Sequence, residues 1–256
     1  MKTKIFLLAC LFFFDRPAHA QVFINKAVIE YEVKSNIQKT MGNGFFADQL
    51  KDQLPQFKTG YYDFTFADNK SIYKFDRWSE EARKIPDWFK KEDEENIWYN
   101  DYSTGKLSMQ KNIDGTDIII LDSIKKLDWK ITNDSRVIAG FNCRKAVTRI
   151  FDSVYVFAFY TDEIMISGGP CSISGLPGMI LGMTIPRLYT SWIATKVSVN
   201  SVNEKNIVPV TAKKAYNLDF LKTTIIDRTK DWYSDDADQN KEIQQQKSRI
   251  LWLTML

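Results

Sequence analysis

Apolar and polar residues alternate along most of this 256-residue chain. A period of two marks strands with one buried face. The clearest run is Ala27-Val28-Ile29-Glu30-Tyr31-Glu32-Val33-Lys34, which puts Ile29, Tyr31 and Val33 on one side. Residues Tyr62 to Phe66 and Ser71 to Phe75 repeat the pattern around Asp68-Asn69, a pair suited to a tight hairpin turn. Further strands are predicted at Ile97 to Tyr102, Lys106 to Asn112, Asp117 to Leu121, Trp129 to Thr132, Cys143 to Phe151, Val154 to Thr161, Gly178 to Ile185 and Ser191 to Asn200. Two segments break the alternation. Phe45 to Leu54, capped by Asn43 and stopped by Pro55, predicts a short helix. Leu218 to Trp232 has Leu218, Leu221, Ile225 and Trp232 near one helical face. The apolar end, Ile250 to Leu256, is expected to be a closing strand, and the charge run Lys90 to Glu95 a solvated face rather than a site.

Many short strands with turn residues between them predict a mainly β protein with minor α structure. The expected form is one curved antiparallel sheet, a half-open barrel around a helix. The aromatic share, 14% of residues, supplies bulk for its core.

The first twenty residues are set apart from this fold. Lys2 and Lys4 precede an apolar run from Ile5 to Phe14, and Ala18-His19-Ala20 has the small-x-small form of a signal-peptidase site. The leader is expected to be cut after Ala20, leaving residues 21–256 as one exported domain. Leu7-Leu8-Ala9-Cys10 resembles a lipobox, but the apolar run continues past Cys10, which favours ordinary cleavage. The only histidine, His19, departs with the leader. Ser-His-Asp and Cys-His catalysis and histidine-bound metals are thereby excluded. Without Lys2, Lys4, Arg16 and Asp15 the net charge is about +1, which offers no electrostatic case for nucleic acid. No apolar run is long enough to cross a membrane as a helix.

Cys143 and Cys171 remain. In an exported chain a pair of cysteines predicts a disulfide, here closing a loop for about 3–4 kcal/mol, with two reduced buried thiols as the other reading. Cys171 lies in the densest turn chemistry of the chain, Gly168-Gly169-Pro170-Cys171-Ser172-Ile173-Ser174-Gly175-Leu176-Pro177-Gly178-Met179-Ile180. Its interleaved apolar residues predict an ordered, partly buried loop that runs into a strand. Gly169, Pro170, Gly175, Leu176, Pro177 and Gly178 are its defining residues. Their spacing suits turn geometry more than a ligand-contacting loop, because the motif carries no nucleophile and no charge.

The stretch from Trp129 to Ile180 resembles the GLPGLI family of exported Bacteroidetes proteins. The resemblance rests on Trp129, on Gly140-Phe141-Asn142-Cys143-Arg144-Lys145-Ala146, on Phe159-Tyr160-Thr161 and on Gly169-Pro170 with Gly175-Leu176-Pro177-Gly178-Met179-Ile180. Met179 stands where that family usually has Leu, and Phe159 where it often has Trp. The resemblance implies a Gram-negative envelope protein, in the periplasm or at the outer membrane, in the context of TonB-dependent receptors. It implies no activity.

The remaining chemical constellations are thin. Asp236-Ala237-Asp238-Gln239-Asn240 starts like an EF-hand loop, but Lys241 stands where Gly is required and Lys247 where Glu is. Met165, Cys171, Met179 and Met183 could offer sulfur to Cu(I), and Asp63 with Asp76 could form a carboxylate pair. Neither arrangement is specific, so no catalytic residue, metal ligand or cofactor is assigned. Neutral charge, absent histidine and aromatic strands together point to a non-catalytic envelope binding or accessory protein that holds an apolar ligand or a protein partner. The alternatives are a carboxylate-based envelope hydrolase and, more remotely, a Cu(I) carrier.

Overall fold

The computed structural model describes residues 23–41, 45–113, 115–151, 153–230 and 241–256. The leader with its cut after Ala20, Cys10, the Asn43 cap, Trp232 and the Asp236 to Asn240 stretch lie outside the described residues. The strands, in chain order, are β1 (Ala27–Asn36), β2 (Phe57–Ala67), β3 (Lys70–Trp78), β4 (Ile97–Asp101), β5 (Lys106–Ile113), β6 (Thr116–Ser123), β7 (Lys130–Ile138), β8 (Phe141–Ile150), β9 (Val154–Thr161), β10 (Met179–Ile185) and β11 (Thr190–Ser198). The helices are α1 (Ile37–Thr40), α2 (Phe45–Lys51), α3 (Lys91–Glu95), α4 (Leu218–Lys230) and α5 (Lys241–Met255).

All eleven strands form one antiparallel sheet in the order β6-β5-β4-β3-β2-β1-β11-β10-β9-β8-β7. The sheet is open, with β6 and β7 as its two edges. Its curvature follows from chain length. The connection from Ser123 to Lys130 joins the two edges and reaches at most about 25 Å. Ten strand spacings laid flat measure about 48 Å. The edges therefore meet only if the sheet curls. Local turns fix the register: Asp68 and Asn69 both take positive φ (49° and 58°) in the two-residue loop of the β2–β3 hairpin, and Ala139-Gly140 does the same between β7 and β8.

Every strand sends its inward residues to one core. Ile29 and Tyr31 of β1, Phe64 of β2, Tyr73 of β3, Met109 of β5, Val156 of β9 and Met183 of β10 all lie in it. Leu218, Leu221 and Ile225 of α4 fill the hollow, and Leu251, Trp252 and Met255 of α5 pack against it. The Trp98 indole donates to the carbonyl of Leu256 at 2.8 Å. The segment from Ile250 to Leu256 is therefore helical up to Met255, and the expected closing strand is corrected. Gln, Lys, Arg and Leu from Gln244 onward are strong helix formers with no Gly or Pro among them, and one face of that helix meets the core. No helix among the described residues is long and apolar enough to cross a membrane.

Candidate functional site

The inward face is not uniformly apolar. On β5 the residues turned inward are Leu107, Met109, Lys111 and Ile113, so a lysine occupies a core position and is 2% exposed. Its ammonium lies 4.2 Å from the centre of the Trp98 ring, a cation–π contact. Burial pulls the Lys111 pKa down to about 8, while the nearby Cys171, Glu92 and Asp93 act in the opposite direction. Lys58 sits in the inward register of β2, two pairs of residues before Tyr62 and three before Phe64, and its stem is likewise largely covered.

The short helix α3 brings a carboxylate over these cations. Asp93 pairs with Lys58 and accepts a hydrogen bond from the Tyr62 hydroxyl at 2.8 Å. Lys58 also donates to the carbonyl of Phe89 at 2.9 Å. Burial, reinforced by the Asp93 charge, pushes the Tyr62 phenol well up, so it stays protonated and can only donate to Asp93. Lys58, Asp93 and Lys111 border a cavity of about 160 Å³ whose wall also includes Ser35, Asn112 and Thr190. The Ser35 and Thr190 hydroxyls are 2.9 Å apart. A fixed carboxylate, a lysine that titrates near pH 8 and several hydroxyls and amides suit a small polyhydroxylated ligand and acid–base chemistry on it. A second cavity, about 280 Å³, lies near Leu107, Leu127, Ile173 and Leu218 and has no acidic side chain in its wall among the described residues.

Sequence reasoning read the run from Lys90 to Glu95 as a solvated face, and Lys91, Glu92 and Glu94 are exposed accordingly. Lys90 is buried, and Glu92 and Asp93 border the cavity. Asp63 and Asp76 face the other way, on the outer side of the sheet, where Arg77 bonds both Asp76 and Glu30. Asp63 is raised by partial burial and by the adjacent Asp76 and Glu30 charges. Met165 is 64% exposed while Met179 and Met183 are in the core, so these sulfurs do not gather at one site.

Cys143 and Cys171 are both free and buried, which corrects the expected disulfide. The Cys143 thiol turns back to the carbonyl of Phe141 in its own strand, at 3.5 Å. Cys171 sits in a tight turn at φ 52°, within electrostatic reach of Lys111. Burial raises their pKa values to about 11 and about 12 respectively. We therefore expect neither thiol to react with iodoacetamide at pH 8 in the folded protein, and both to react once it is unfolded; peptide mapping of the alkylated protein reads the difference.

The glycine-rich loop is packed rather than open. Gly169, Pro170, Leu176 and Gly178 are buried, while Gly175 and Pro177 reach the surface. The Ser167 hydroxyl donates to Leu176 O at 2.6 Å and accepts from Gly175 N, and the Trp129 indole donates to Ser174 O at 2.9 Å. Tyr31 donates its hydroxyl to Ile180 O. The loop thus anchors β10 to the sheet, and its Cys171, Ser172 and Ile173 line the 280 Å³ cavity.

An open antiparallel bowl with a carboxylate–lysine pocket on its concave side is the class of protein that fold and site define. The chain belongs to the N-glycanase peptide N-terminal domain family, whose model matches residues 84–224. Asp93, Lys111 and the glycine-rich loop all fall inside that span. Two structures of PNGF-II, in space groups P21 and C2, share 14% identity with the chain and cover 75% of it, with TM-scores of 0.49 and 0.48. The chain spans about a third of their length, 31% and 30%. An uncharacterized conserved protein from Thermus thermophilus shares 9% identity over 77% of this chain and 93% of its own, with a TM-score of 0.38. No curated protein sequence matches the chain.

Family membership corrects two expectations. The resemblance to the GLPGLI family gives way to the N-glycanase domain family, within whose matched span the motif lies. A turn of this geometry calls for the same glycines and prolines in whatever chain builds it, so the motif marks a turn and not a separate family. The expectation of a non-catalytic envelope binding or accessory protein that holds an apolar ligand or a protein partner falls with it.

Proposed function

We propose that this chain takes part in the hydrolytic removal of N-linked glycans, with the pocket around Asp93 and Lys111 as the place where the linkage is handled. The observation that carries this reading is the match of residues 84–224 to a domain family of N-glycanases, a span that contains both side chains. Hydrolysis of a linkage to nitrogen needs a base for the attacking water and a proton donor for the leaving amine. Asp93, oriented by Lys58 and Tyr62, serves as the base. Lys111, which titrates near pH 8, serves as the donor. Asn112 and the hydroxyls of Ser35 and Thr190 position the sugar. Export through the leader at residues 1–20 would bring the chain to glycoproteins outside the cytoplasm.

The test is release of oligosaccharide from a denatured N-glycosylated glycoprotein, followed by mass spectrometry. Asp93→Asn is expected to slow release by about 100-fold or more with the circular dichroism spectrum unchanged. A folded chain that neither releases glycan nor protects the glycopeptide in a binding assay overturns the reading.

A further inference from the structure

A second polar groove, about 580 Å³, runs between α5 and the turn that joins β10 to β11. Its wall includes Ser153, Arg187, Tyr189, Gln245, Arg249 and Trp252, and no acidic side chain among the described residues lines it. Two guanidinium groups are held on aromatic rings there. The Arg187 guanidinium is 5.6 Å from the centre of the Trp252 ring, and that of Arg249 is 5.0 Å from the centre of the Tyr189 ring. The Lys39 ammonium is 5.5 Å from the same tyrosine. Neither arginine has an ion-pair partner among the described residues.

Arg249 is only half-satisfied. Its Nη1 donates to the carbonyls of Lys39 and Thr40 at 3.1 and 3.2 Å, while its Nε is buried with no acceptor. A buried donor without an acceptor is unfavourable until a ligand supplies one. Tyr189 adds a second cost, because it holds a left-handed backbone conformation at φ 52°, which is unfavourable for a bulky residue. Two unfavourable features that share one groove, with aromatic rings fixing two guanidiniums that have no ion-pair partner among the described residues, preorganise it for an anion. The planar guanidinium fork matches a carboxylate in two parallel hydrogen bonds. The neutral Ser153 and Gln245 beside it suit hydroxyl groups on the same ligand.

We propose that this groove binds a carboxylate-bearing sugar, such as a sialic acid, at the outer end of a glycan. This rests on the glycan-directed function proposed above. The test uses the full chain with sialyllactose and with lactose as its neutral counterpart, read by saturation-transfer NMR and calorimetry. Sialyllactose is expected to bind at least tenfold more tightly than lactose, to weaken as salt rises, and to lose tenfold or more on Arg249→Gln. Because Arg249 also ties down two backbone carbonyls, Arg187→Gln provides a second variant, expected to weaken binding without altering the melting temperature or release of neutral glycans. Equal binding of the two sugars overturns the proposal, as does binding of a glutamate-rich peptide in place of sialyllactose. If release of neutral glycans persists while sialyllactose fails to bind, only the groove assignment is lost. If sialyllactose binds and no glycan is ever released, the hydrolytic function fails and the groove stands.

Discussion

Gly178→Ala is expected to destabilise the protein by about 4 kcal/mol or more, with the melting temperature falling by about 10 °C. A Cβ at this position would lie 2.0 Å from the carbonyl oxygen of Thr161 and 2.7 Å from its carbonyl carbon. Those are backbone atoms of β9, which is bonded on both sides, to β8 and to β10, and cannot step aside. The backbone of Gly178 is also at φ 141°, a region closed to residues with a side chain. The control is Gly105→Ala in the β4–β5 turn, at φ 68° with nothing within 4 Å of the added carbon. There only the conformational cost applies, about 1–2 kcal/mol. Thermal melts of the two variants read the difference directly. Similar losses at both positions would mean that β9 and β10 are not packed as described.

Lys111→Met is expected to raise stability at pH 7 by about 2–3 kcal/mol while weakening glycan release. The ordinary lysine pKa of 10.5 falls to about 8 in the folded protein. Below pH 8 the native state must bury a charge that the unfolded chain carries in water, and that penalty is present in full. Between pH 8 and 10.5 the unfolded chain keeps its proton and the native lysine has lost it, so wild-type stability rises with pH relative to the variant. The advantage of Lys111→Met should therefore fade across that window and be gone above it. Cys143 and Cys171 act in the opposite sense, since their raised pKa values add stability to the wild type only as pH falls back below the ordinary thiol range and cost it as pH climbs. Cys143 is the same in both proteins and cancels in the difference, whereas Cys171 loses the lowering influence of Lys111 in the variant and leaves a residual difference above the ordinary thiol range. Urea titrations of wild type and variant from about pH 6 to about pH 11 provide the measurement. A difference that does not change with pH would show that Lys111 is not charged and desolvated in the native state. A lysine retained at such a cost fits a role in chemistry rather than in packing.

The strands were readable because most are short, alternating and bounded by turn residues, and each of the eleven overlaps a predicted segment. Even so, β2 begins already at Phe57 and β7 runs on to Ile138, beyond the Tyr62 and Thr132 that alternation marks. Ile250 to Leu256 misled for the opposite reason. A seven-residue apolar run fits a strand or one face of a helix, and only the helix-forming residues before it decide between them. The pocket was legible in principle. Lys111 breaks the inward series Leu107, Met109, Lys111, Ile113, and Lys58 shares the register of Tyr62 and Phe64. A lysine in a core register is a stronger signal than any carboxylate pair in the sequence. Asp93 was not legible, because a surface charge run and a helix that delivers one carboxylate to a buried lysine have the same composition. The cysteines illustrate a further limit. Their number and the expected compartment favour a bond, but the direction of each Cβ is set by strand register and turn conformation.

The sheet order carries a consequence for how the chain finds its fold. Strands β1 to β6 form one run of sequential neighbours and β7 to β11 another, and the two runs meet only where β1 lies against β11. Each half can zip up hairpin by hairpin, with little entropy lost to loop closure. The β1–β11 pairing joins residues such as Tyr31 and Ala194 that are far apart in sequence, so it closes by far the largest loop in the molecule. That seam is the natural late step of assembly: Lys58, Asp93 and Lys111 are carried by the β1 to β6 half, and Thr190 comes to face Ser35 across the pocket only once the seam is shut.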